Sequence, residues 1–260
     1  DALQVDGTSR IIDTTSGNAN VTITGGNATS AGGLFATSGQ TNSLTISAGA
    51  GAVTLGTFEG FGDNNGTDSL IDNVTISASS TTLGNTVSKV GGTFSVTNGT
   101  LSLANNLTAG AIEITTSSAT TLVGDVTLAA AGNVGFAGTV DGNQALSVNA
   151  GGTTSFGSEV GGTAPLQVLL VANATDLSAN VSTVLGQQYG STTLSSDVTV
   201  TSSSNAAINF LGTVDGNQSL VTETTGQTTF NGTVGGPTPL ASVTTKGSVV
   251  VNGNITTTGG

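Results

Sequence analysis

The feature that most constrains the fold of this chain is a long internal repeat. Residues 135–146 read GFAGTVDGNQAL, and residues 209–220 read NFLGTVDGNQSL. The two segments are 74 residues apart, and the same offset of 74 residues relates Pro165-Leu166 to Pro239-Leu240 further along the chain. Self-similarity at a fixed period is typical of solenoids and arrays, in which each unit packs only against its neighbours.

A degenerate third copy precedes these two. The segment LTISAG at 44–49 resembles LSVNAG at 146–151, at a longer spacing. Stacked coils accommodate insertions as loops, which is unusual for a compact globular domain. Because the second clear copy stops partway through its unit, we expect the repeat to continue in a longer protein. We therefore predict one continuous solenoid, with degenerate repeats over 1–131 that include a loop insertion near 60–73, a repeat unit at 132–204 and a truncated copy at 205–260.

Within the units, apolar residues recur in pairs that are separated by one small or polar residue. This spacing puts both apolar side chains on the same face of a β-strand. The pairs recur every ~8–14 residues, between Gly, Asn, Ser and Asp turn signals. The pairs include Val21/Ile23, Leu44/Ile46, Val53/Leu55, Val74/Ile76, Phe94/Val96, Ile112/Ile114, Val134/Phe136, Leu146/Val148, Val198/Val200, Ile208/Phe210 and Val249/Val251.

These patterns predict an all-β fold, a right-handed parallel β-helix (β-solenoid) built of short strands with Gly, Asn and Asp turns. Two inward side chains per strand are too few for a sandwich core, but they can line a narrow solenoid whose coils stack at ~4.8 Å. Two or three strands per coil imply about 20–30 residues per coil and roughly ten coils. The Val-Asp-Gly-Asn sequences at 140–143 and 214–217 are typical turns. We expect the phenylalanines at inward positions to stack in the core, namely Phe94, Phe136, Phe156, Phe210 and Phe230.

The composition excludes several classes of function. Only Arg10, Lys89 and Lys246 are basic, against 15 acidic residues, for a formal net charge of -12. Such a chain neither neutralises many phosphates nor docks electrostatically on anionic membranes, so we expect no nucleic-acid partner and no membrane insertion. Without His or Cys, there is no zinc site of the usual kind, no thiol chemistry and no Ser-His-Asp triad.

Catalysis is also not expected, although some glycan-degrading enzymes are β-helices. A glycosidase needs two carboxylates that converge on one bond. Asp141 and Asp215 instead recur in equivalent Asp-Gly turns, which indicates a structural role for both. We therefore predict that the chain is not an enzyme and has no catalytic or cofactor-binding residue.

The sequence FxGTVDGNQxL, followed by GxTTFxGxVGGxxPL, resembles the long tandem repeats of giant bacterial surface exoproteins, the filamentous-haemagglutinin-like and autotransporter-like adhesins. The resemblance is close over 132–260 and loose over 1–131. It implies a right-handed β-helical rod, export across the outer membrane, and a role in adhesion, biofilm matrix or surface filaments. No functional residue is carried over, because the motif consists of turn and core residues. The absence of Cys and the abundance of Thr, Asn and Gly also favour an extracellular or bacterial cell-surface location.

Three uses of such a rod stay open. The first is mechanical, as an adhesin stalk or biofilm matrix component. The second is a self-assembling extracellular filament or sheath, because open solenoid ends expose unpaired strand edges and the sequence shows no polar cap at either end. The third is a surface that binds a glycan or a host protein, with Phe58 and Phe61 as its contacts. A tandem Ig-like stalk would need longer strands and more uniform repeats. The expected partners are thus other copies, neighbouring repeats of the same polypeptide, or a glycan or host surface.

One acidic cluster, GFGDNNGTDSLIDN at 60–73, is a candidate calcium site. Its oxygen ligands would be Asp63, Asn65, Asp68 and Asp72, together with turn carbonyls. The spacing does not match an EF-hand, and the Gly-Gly-x-Gly-x-Asp nonapeptide of calcium-binding rolls is missing. The alternative is a solvated loop inserted into one coil, with no cofactor.

Several Asn-x-Ser/Thr sequences also occur. We interpret their Asn and Thr as turn and outer-face residues, with glycosylation as the lesser alternative. Examples are Asn20, Asn73, Asn173 and Asn231.

Overall fold

The computed structural model describes residues 3–5, 10–23, 34–36, 42–55, 71–84, 88–115 and 119–259. These residues form β-strands and no helix, and every pairing between their strands is parallel. The strands stack turn upon turn. The predicted β-solenoid is therefore confirmed.

Most strands have two to six residues, although two of them have 11, and Gly, Asn, Asp and Ser residues separate most of them. In chain order they are β1 (Leu3–Val5), β2 (Arg10–Asp13), β3 (Val21–Ile23), β4 (Leu34–Ala36), β5 (Ser43–Ser47), β6 (Ala52–Leu55), β7 (Asn73–Leu83), β8 (Ser88–Lys89), β9 (Thr93–Leu103), β10 (Leu107–Ala109), β11 (Ala111–Ile114), β12 (Thr120–Leu122), β13 (Val126–Ala130), β14 (Val134–Phe136), β15 (Val140–Asp141), β16 (Ala145–Ala150), β17 (Thr154–Phe156), β18 (Val168–Val171), β19 (Thr175–Leu177), β20 (Val181–Thr183), β21 (Gln187–Tyr189), β22 (Thr192–Leu194), β23 (Val198–Ser202), β24 (Ile208–Phe210), β25 (Val214–Asp215), β26 (Ser219–Glu223), β27 (Gln227–Phe230), β28 (Ser242–Thr245) and β29 (Ser248–Val251).

The solenoid has three faces that run along its axis. The first face is a nine-stranded sheet of β8, β10, β13, β16, β18, β21, β24, β27 and β29. The second face contains β2, β5, the first halves of β7 and β9, and then β11, β14, β17, β19, β22 and β25. The third face contains β3, β6, the second halves of β7 and β9, and then β12, β15, β20, β23, β26 and β28. Bridges through Val160 join β15 to β20 on the third face.

Hydrogen bonds between equivalent corners of successive turns show how long each turn is. Asn180 bonds to Thr199 in the next turn, 19 residues later, and the corner bond of the following turn spans 22 residues. Turns of this length lie near the lower limit of the predicted range. The first turns are longer, and Asn20 bonds to Ala52 across 32 residues.

Apolar side chains from all three faces fill the interior. The phenylalanines predicted to point inward are buried, and this prediction is confirmed. They stack along the axis, with ring centroids 5.6 Å apart for Phe136 and Phe156 on the second face and 5.1 Å apart for Phe210 and Phe230 on the first. Tyr189 extends the stack on the first face, and its ring centroid lies 5.2 Å from that of Phe210.

The long internal repeat is not a whole number of turns. Phe136 lies on the second face, whereas its equivalent Phe210 lies on the first. On the second face β14 pairs with β17, β17 with β19 and β19 with β22, so β22 lies three turns after β14. After β22 the chain forms β23 on the third face and then β24, which contains Phe210, on the first. The repeat therefore covers three turns and two of the three faces. The equivalent turn glycines nevertheless keep the same conformation, with φ of 127° at Gly142 and 124° at Gly216.

Buried threonines interrupt the apolar column on the second face and allow a matched test of packing. Thr154 and Thr175 stack directly on each other and are both buried. The Thr154 hydroxyl has no hydrogen-bond partner in the structure, while the Thr175 hydroxyl donates to the carbonyl of Asn173 at 3.3 Å.

We predict that Thr154→Val raises the free energy of unfolding by about 1 kcal/mol, because a buried unpaired hydroxyl is replaced by a methyl group of similar shape. Urea unfolding followed by circular dichroism measures the change. Thr175→Val is the control and should give no such gain, since it removes a hydrogen bond as well. Equal shifts in the two variants would contradict the prediction.

Candidate functional site

The side chains that connect successive turns form a recurring motif, which we call the strand-start Asx position. An Asn or Asp directly before a strand, or at its first residue, accepts through Oδ1 the backbone N–H of the residue stacked on it in the next turn. Asn106 accepts from Thr127 at 2.7 Å and Asn180 from Thr199 at 2.8 Å. The same bond joins Asn20 to Ala52, Asn73 to Thr93, Asp125 to Ala145, Asn133 to Thr153 and Asp197 to Ser219.

Each of these bonds extends the backbone ladder by one rung. Leu107 pairs with Leu128, so Asn106 lies directly below Thr127 in the stack. At these corners the Asx oxygen is the acceptor for a backbone N–H of the next turn, as a side-chain acceptor can be where backbone pairing stops. The motif thus joins one turn to the next at points where the strands themselves do not pair.

This geometry accounts for much of the Asn-x-Ser/Thr pattern. In Asn20-Val21-Thr22 and Asn73-Val74-Thr75 the Asn is at the strand-start position, the Val is buried, and the Thr faces outward. Asn173 and Asn231 are different. The amide of Asn173 donates to the Ala150 carbonyl, and Asn231 accepts from the amide of Asn252 at 2.9 Å. The geometry agrees with the interpretation of these residues as turn and outer-face residues.

The two repeated Asp-Gly turns are related but not identical. Asp141 accepts hydrogen bonds from the backbone N–H groups of Thr163 and Ala164, at 2.9 and 3.0 Å. Pro237 stands where the first copy has Thr163, and it has no N–H to donate. Oδ1 of Asp215 is buried without a hydrogen-bond partner in the structure. Each Asp is the last residue of a short strand, β15 or β25, and directly precedes the corner glycine with positive φ.

The predicted calcium ligands are mostly outside the part of the chain that the structure describes. This applies to Asp63, Asn65 and Asp68, and also to the predicted glycan contacts Phe58 and Phe61. Asp72 is described, and its carboxylate accepts from the amide of the adjacent Asn73 at 2.8 Å. Within the described ranges, no group of three or more acidic side chains is placed to hold a metal ion. The calcium site stays a prediction.

The outer surface of the second face has a shallow depression of about 360 Å³. Gly135 and Ser155 form its floor, and Glu113 and Asp176 lie one turn to either side. Apart from Gly135 and its two chain neighbours, no residue has an atom within 4 Å of where a Cβ of Gly135 would be. The two carboxylates could accept hydrogen bonds from the hydroxyl or amino groups of a ligand that lies along the axis.

The last described turn, residues 247–259, stacks on the turn below it. On the first face β29 pairs with β27, and on the second face Ile255 bridges Val234. Val249, Val251 and Ile255 thus stand at inward positions above buried residues and continue the columns of the core.

A buried polar cluster lies inside the first face, and sequence reasoning missed it. The Tyr189 hydroxyl donates to Oε1 of Gln187 at 2.6 Å. The Gln187 amide donates to the Thr201 carbonyl at 2.7 Å and to the Thr183 hydroxyl at 3.1 Å. Burial raises the pKa of the Tyr189 phenol far above its usual range, because the phenolate would be desolvated. The signal was present in Gln187-Gln188-Tyr189, where Gln occupies the first inward position of a pair.

Searches against family models, curated proteins and solved structures found no match to this chain. In the described residues there is no helix with the length and apolarity needed to cross a membrane.

We predict that Asn180→Ala lowers the free energy of unfolding by about 0.5–1 kcal/mol, because the Thr199 N–H loses its acceptor at an exposed corner. Chemical denaturation measures the loss. Asn180→Asp is the matched control and should stay within error of wild type, since Asp197 makes the same bond one turn later. A loss as large in Asn180→Asp would show that the amide group, rather than the Oδ1 acceptor, matters.

We predict that Tyr189→Phe lowers the free energy of unfolding by about 1–3 kcal/mol, because Oε1 of Gln187 is left buried without a donor. The double variant Gln187→Ile/Tyr189→Phe reproduces Ile208 and Phe210 of the next turn. It should recover part of this loss, because it removes the unpaired Oε1 but also takes the amide donor from the Thr201 carbonyl and the Thr183 hydroxyl. Thermal and urea unfolding of the three proteins test the coupling. A double variant no more stable than Tyr189→Phe would contradict it.

Proposed function

We propose that this chain is a structural rod of a bacterial secreted or cell-surface protein, such as an adhesin stalk or a component of a biofilm matrix, and that it performs no chemistry. The observation that carries the proposal is the parallel ladder on three faces, which is unbroken over nine strands on the first face and continues through the bridges at Val160 on the third. Nine strands on the first face make eight steps, about 38 Å along the axis at the usual strand spacing.

The arrangement of the ladders favours a stiff rod. The hydrogen bonds between turns run along the axis on all three sides, so bending in any direction stretches the bonds of at least one face. The core resists compression because buried apolar side chains from the three faces form one packed cluster. Each turn contacts only its two neighbours, so length can change by whole turns without a change in cross-section.

The outer surface suits a solvated rod. Thr22, Thr54 and Thr82 stack on one another on the third face and point outward. Acidic side chains such as Glu113 and Asp176 lie on the sides of the rod. With a formal net charge of -12, rods of this kind repel each other side to side, which keeps them in solution.

A second candidate function is a subunit of a self-assembling filament or sheath, because parallel strands that stack turn upon turn can be extended by further turns of the same kind. A third is recognition of a glycan, for which the depression between Glu113 and Asp176 offers a place among the described residues. The resemblance to bacterial surface exoproteins supports all three and the extracellular location.

We predict that spin labels placed on the first face will report a single narrow distance, as a rod requires. The chain has no Cys, so Thr127→Cys/Thr229→Cys introduces two labelling sites without interference. Five ladder steps separate these outward residues, about 24 Å. The pair Ser147→Cys/Thr229→Cys is four steps apart and should read about 5 Å shorter.

The labelled rod should keep the same narrow distances in a calcium chelator and should bind no sugar on a glycan array. A broad distribution would contradict a stiff rod. Narrow distances together with specific glycan binding, lost in Glu113→Gln/Asp176→Asn, would move the function to the depression on the second face.

A further inference from the structure

We propose that the depression on the second face binds an extended basic segment of another protein. The segment lies along the solenoid axis and places two cationic side chains, four residues apart, at Glu113 and Asp176. The inference goes beyond the rod function, because it concerns what the side of the rod recognises.

The depression exists because a side chain is missing from its floor. In one outward column Glu113 stacks on Gly135, Gly135 on Ser155 and Ser155 on Asp176. Gly135 is the middle residue of β14 and does not have a positive φ. A Cβ at this position would meet no atom beyond those of its chain neighbours. Neither the backbone nor the packing therefore requires glycine here. An interior strand glycine weakens the strand and often marks a place where a ligand or another chain approaches closely.

The internal repeat shows that the fold does not depend on this hollow floor. Four small residues line the middle of the depression, namely Gly135, Ala137, Ser155 and Gly157. Their equivalents 74 residues later are all larger, namely Asn209, Leu211, Thr229 and Asn231. The second copy forms the corresponding strands, β24 and β27, with these larger residues. The hollow is thus a property of this place on the rod and not of the repeat.

Two carboxylates limit the depression at its ends and give it a negative charge. Glu113 is exposed, and Asp176 is half-buried. Oδ1 of Asp176 accepts from the Ser195 hydroxyl at 2.6 Å, which orients the carboxylate and leaves Oδ2 for a ligand. Among the described residues neither carboxylate forms an ion pair, and the sequence has no Lys or Arg between Lys89 and Lys246. In a chain with a formal net charge of -12, such a site attracts cations.

The distance between the carboxylates fits an extended peptide. Three ladder steps separate Glu113 from Asp176, about 14 Å along the axis. In an extended chain, residues i, i+2 and i+4 point to the same side, and i and i+4 are about 13 Å apart. Basic residues at i and i+4 can therefore reach both carboxylates, while a small residue at i+2 lies over Gly135 and Ser155. The chemistry of the site thus fits the pattern basic-x-small-x-basic.

Two peptides of the same composition and charge test the spacing. Lys-Thr-Ala-Thr-Lys carries its charges four residues apart, and Lys-Thr-Lys-Thr-Ala carries them two apart, both with blocked termini. Each is titrated into the isotope-labelled full chain at about 0.1 M salt, where distant charges are screened. The first peptide should shift the amide signals of Gly135 and Ser155 with a dissociation constant on the order of 1 mM, since exposed ion pairs are individually weak. The second should bind about two- to fivefold more weakly, because only one charge finds a carboxylate.

Three variants separate local recognition from general attraction. Glu113→Gln/Asp176→Asn should weaken binding of the first peptide by about tenfold. Asp125→Asn/Asp197→Asn removes the same charge outside the depression and keeps both Oδ1 acceptors, so it should bind as wild type does. Gly135→Thr leaves the carboxylates in place but fills the floor, and it should weaken binding while the fold is kept. The spectrum of each variant checks its fold.

Equal affinity for the two peptides, or unchanged binding by Glu113→Gln/Asp176→Asn, would reduce the effect to general attraction and overturn the proposal. The absence of shifts at Gly135 and Ser155 with the first peptide would also overturn it. Shifts there with a neutral oligosaccharide, but not with the peptide, would replace the basic segment with a glycan. Because stiffness is measured by distances within one chain, the rod function can stand or fall separately.

Discussion

The in-register parallel ladder is the interaction on which the rest of this structure depends. Each turn satisfies its backbone through the turns above and below it, so every turn must reproduce the same path. That requirement places apolar side chains at the same inward positions in each turn, as in the column from Phe94 through Ile112 to Val134. It also explains the strand-start Asx positions. Where the chain turns a corner, Asn106 or Asn180 supplies the acceptor that the backbone does not.

The alternation of apolar and polar residues was sufficient to predict the fold class and the inward phenylalanines. In a β-strand successive side chains point to opposite sides, so a period of two places every apolar residue on the inward side. It was not sufficient to place the long repeat on the solenoid. The face on which Phe210 lies depends on the sum of all turn lengths from Phe136, and the turns differ in length. The same sequence can occupy different faces because each face requires the same pattern, a strand with two inward apolar residues between two tight corners.

The hydrogen bonds of the polar side chains could not be predicted from the sequence, for a different reason. Asn180 and Asp197 look alike in a list of turn residues, and only the register shows that both accept from the turn above. Gln187 broke the apolar pattern, so apolar alternation alone did not assign Tyr189 to an inward position, although it is buried with Gln187 and hydrogen-bonded to it. The difference between Asp141 and Asp215 was visible in the printed residues, as Thr163 against Pro237, but its consequence depends on a backbone N–H that only the folded turn brings into range.

The same ladder determines what the sides of the solenoid can bind. Backbone N–H and C=O groups of the strands are engaged between successive turns, so they are not available to a partner that approaches from the side. Recognition at the sides must therefore use outward side chains, such as Glu113 and Asp176 on the second face. The interaction that makes the rod stiff thus also restricts its lateral contacts to side-chain chemistry.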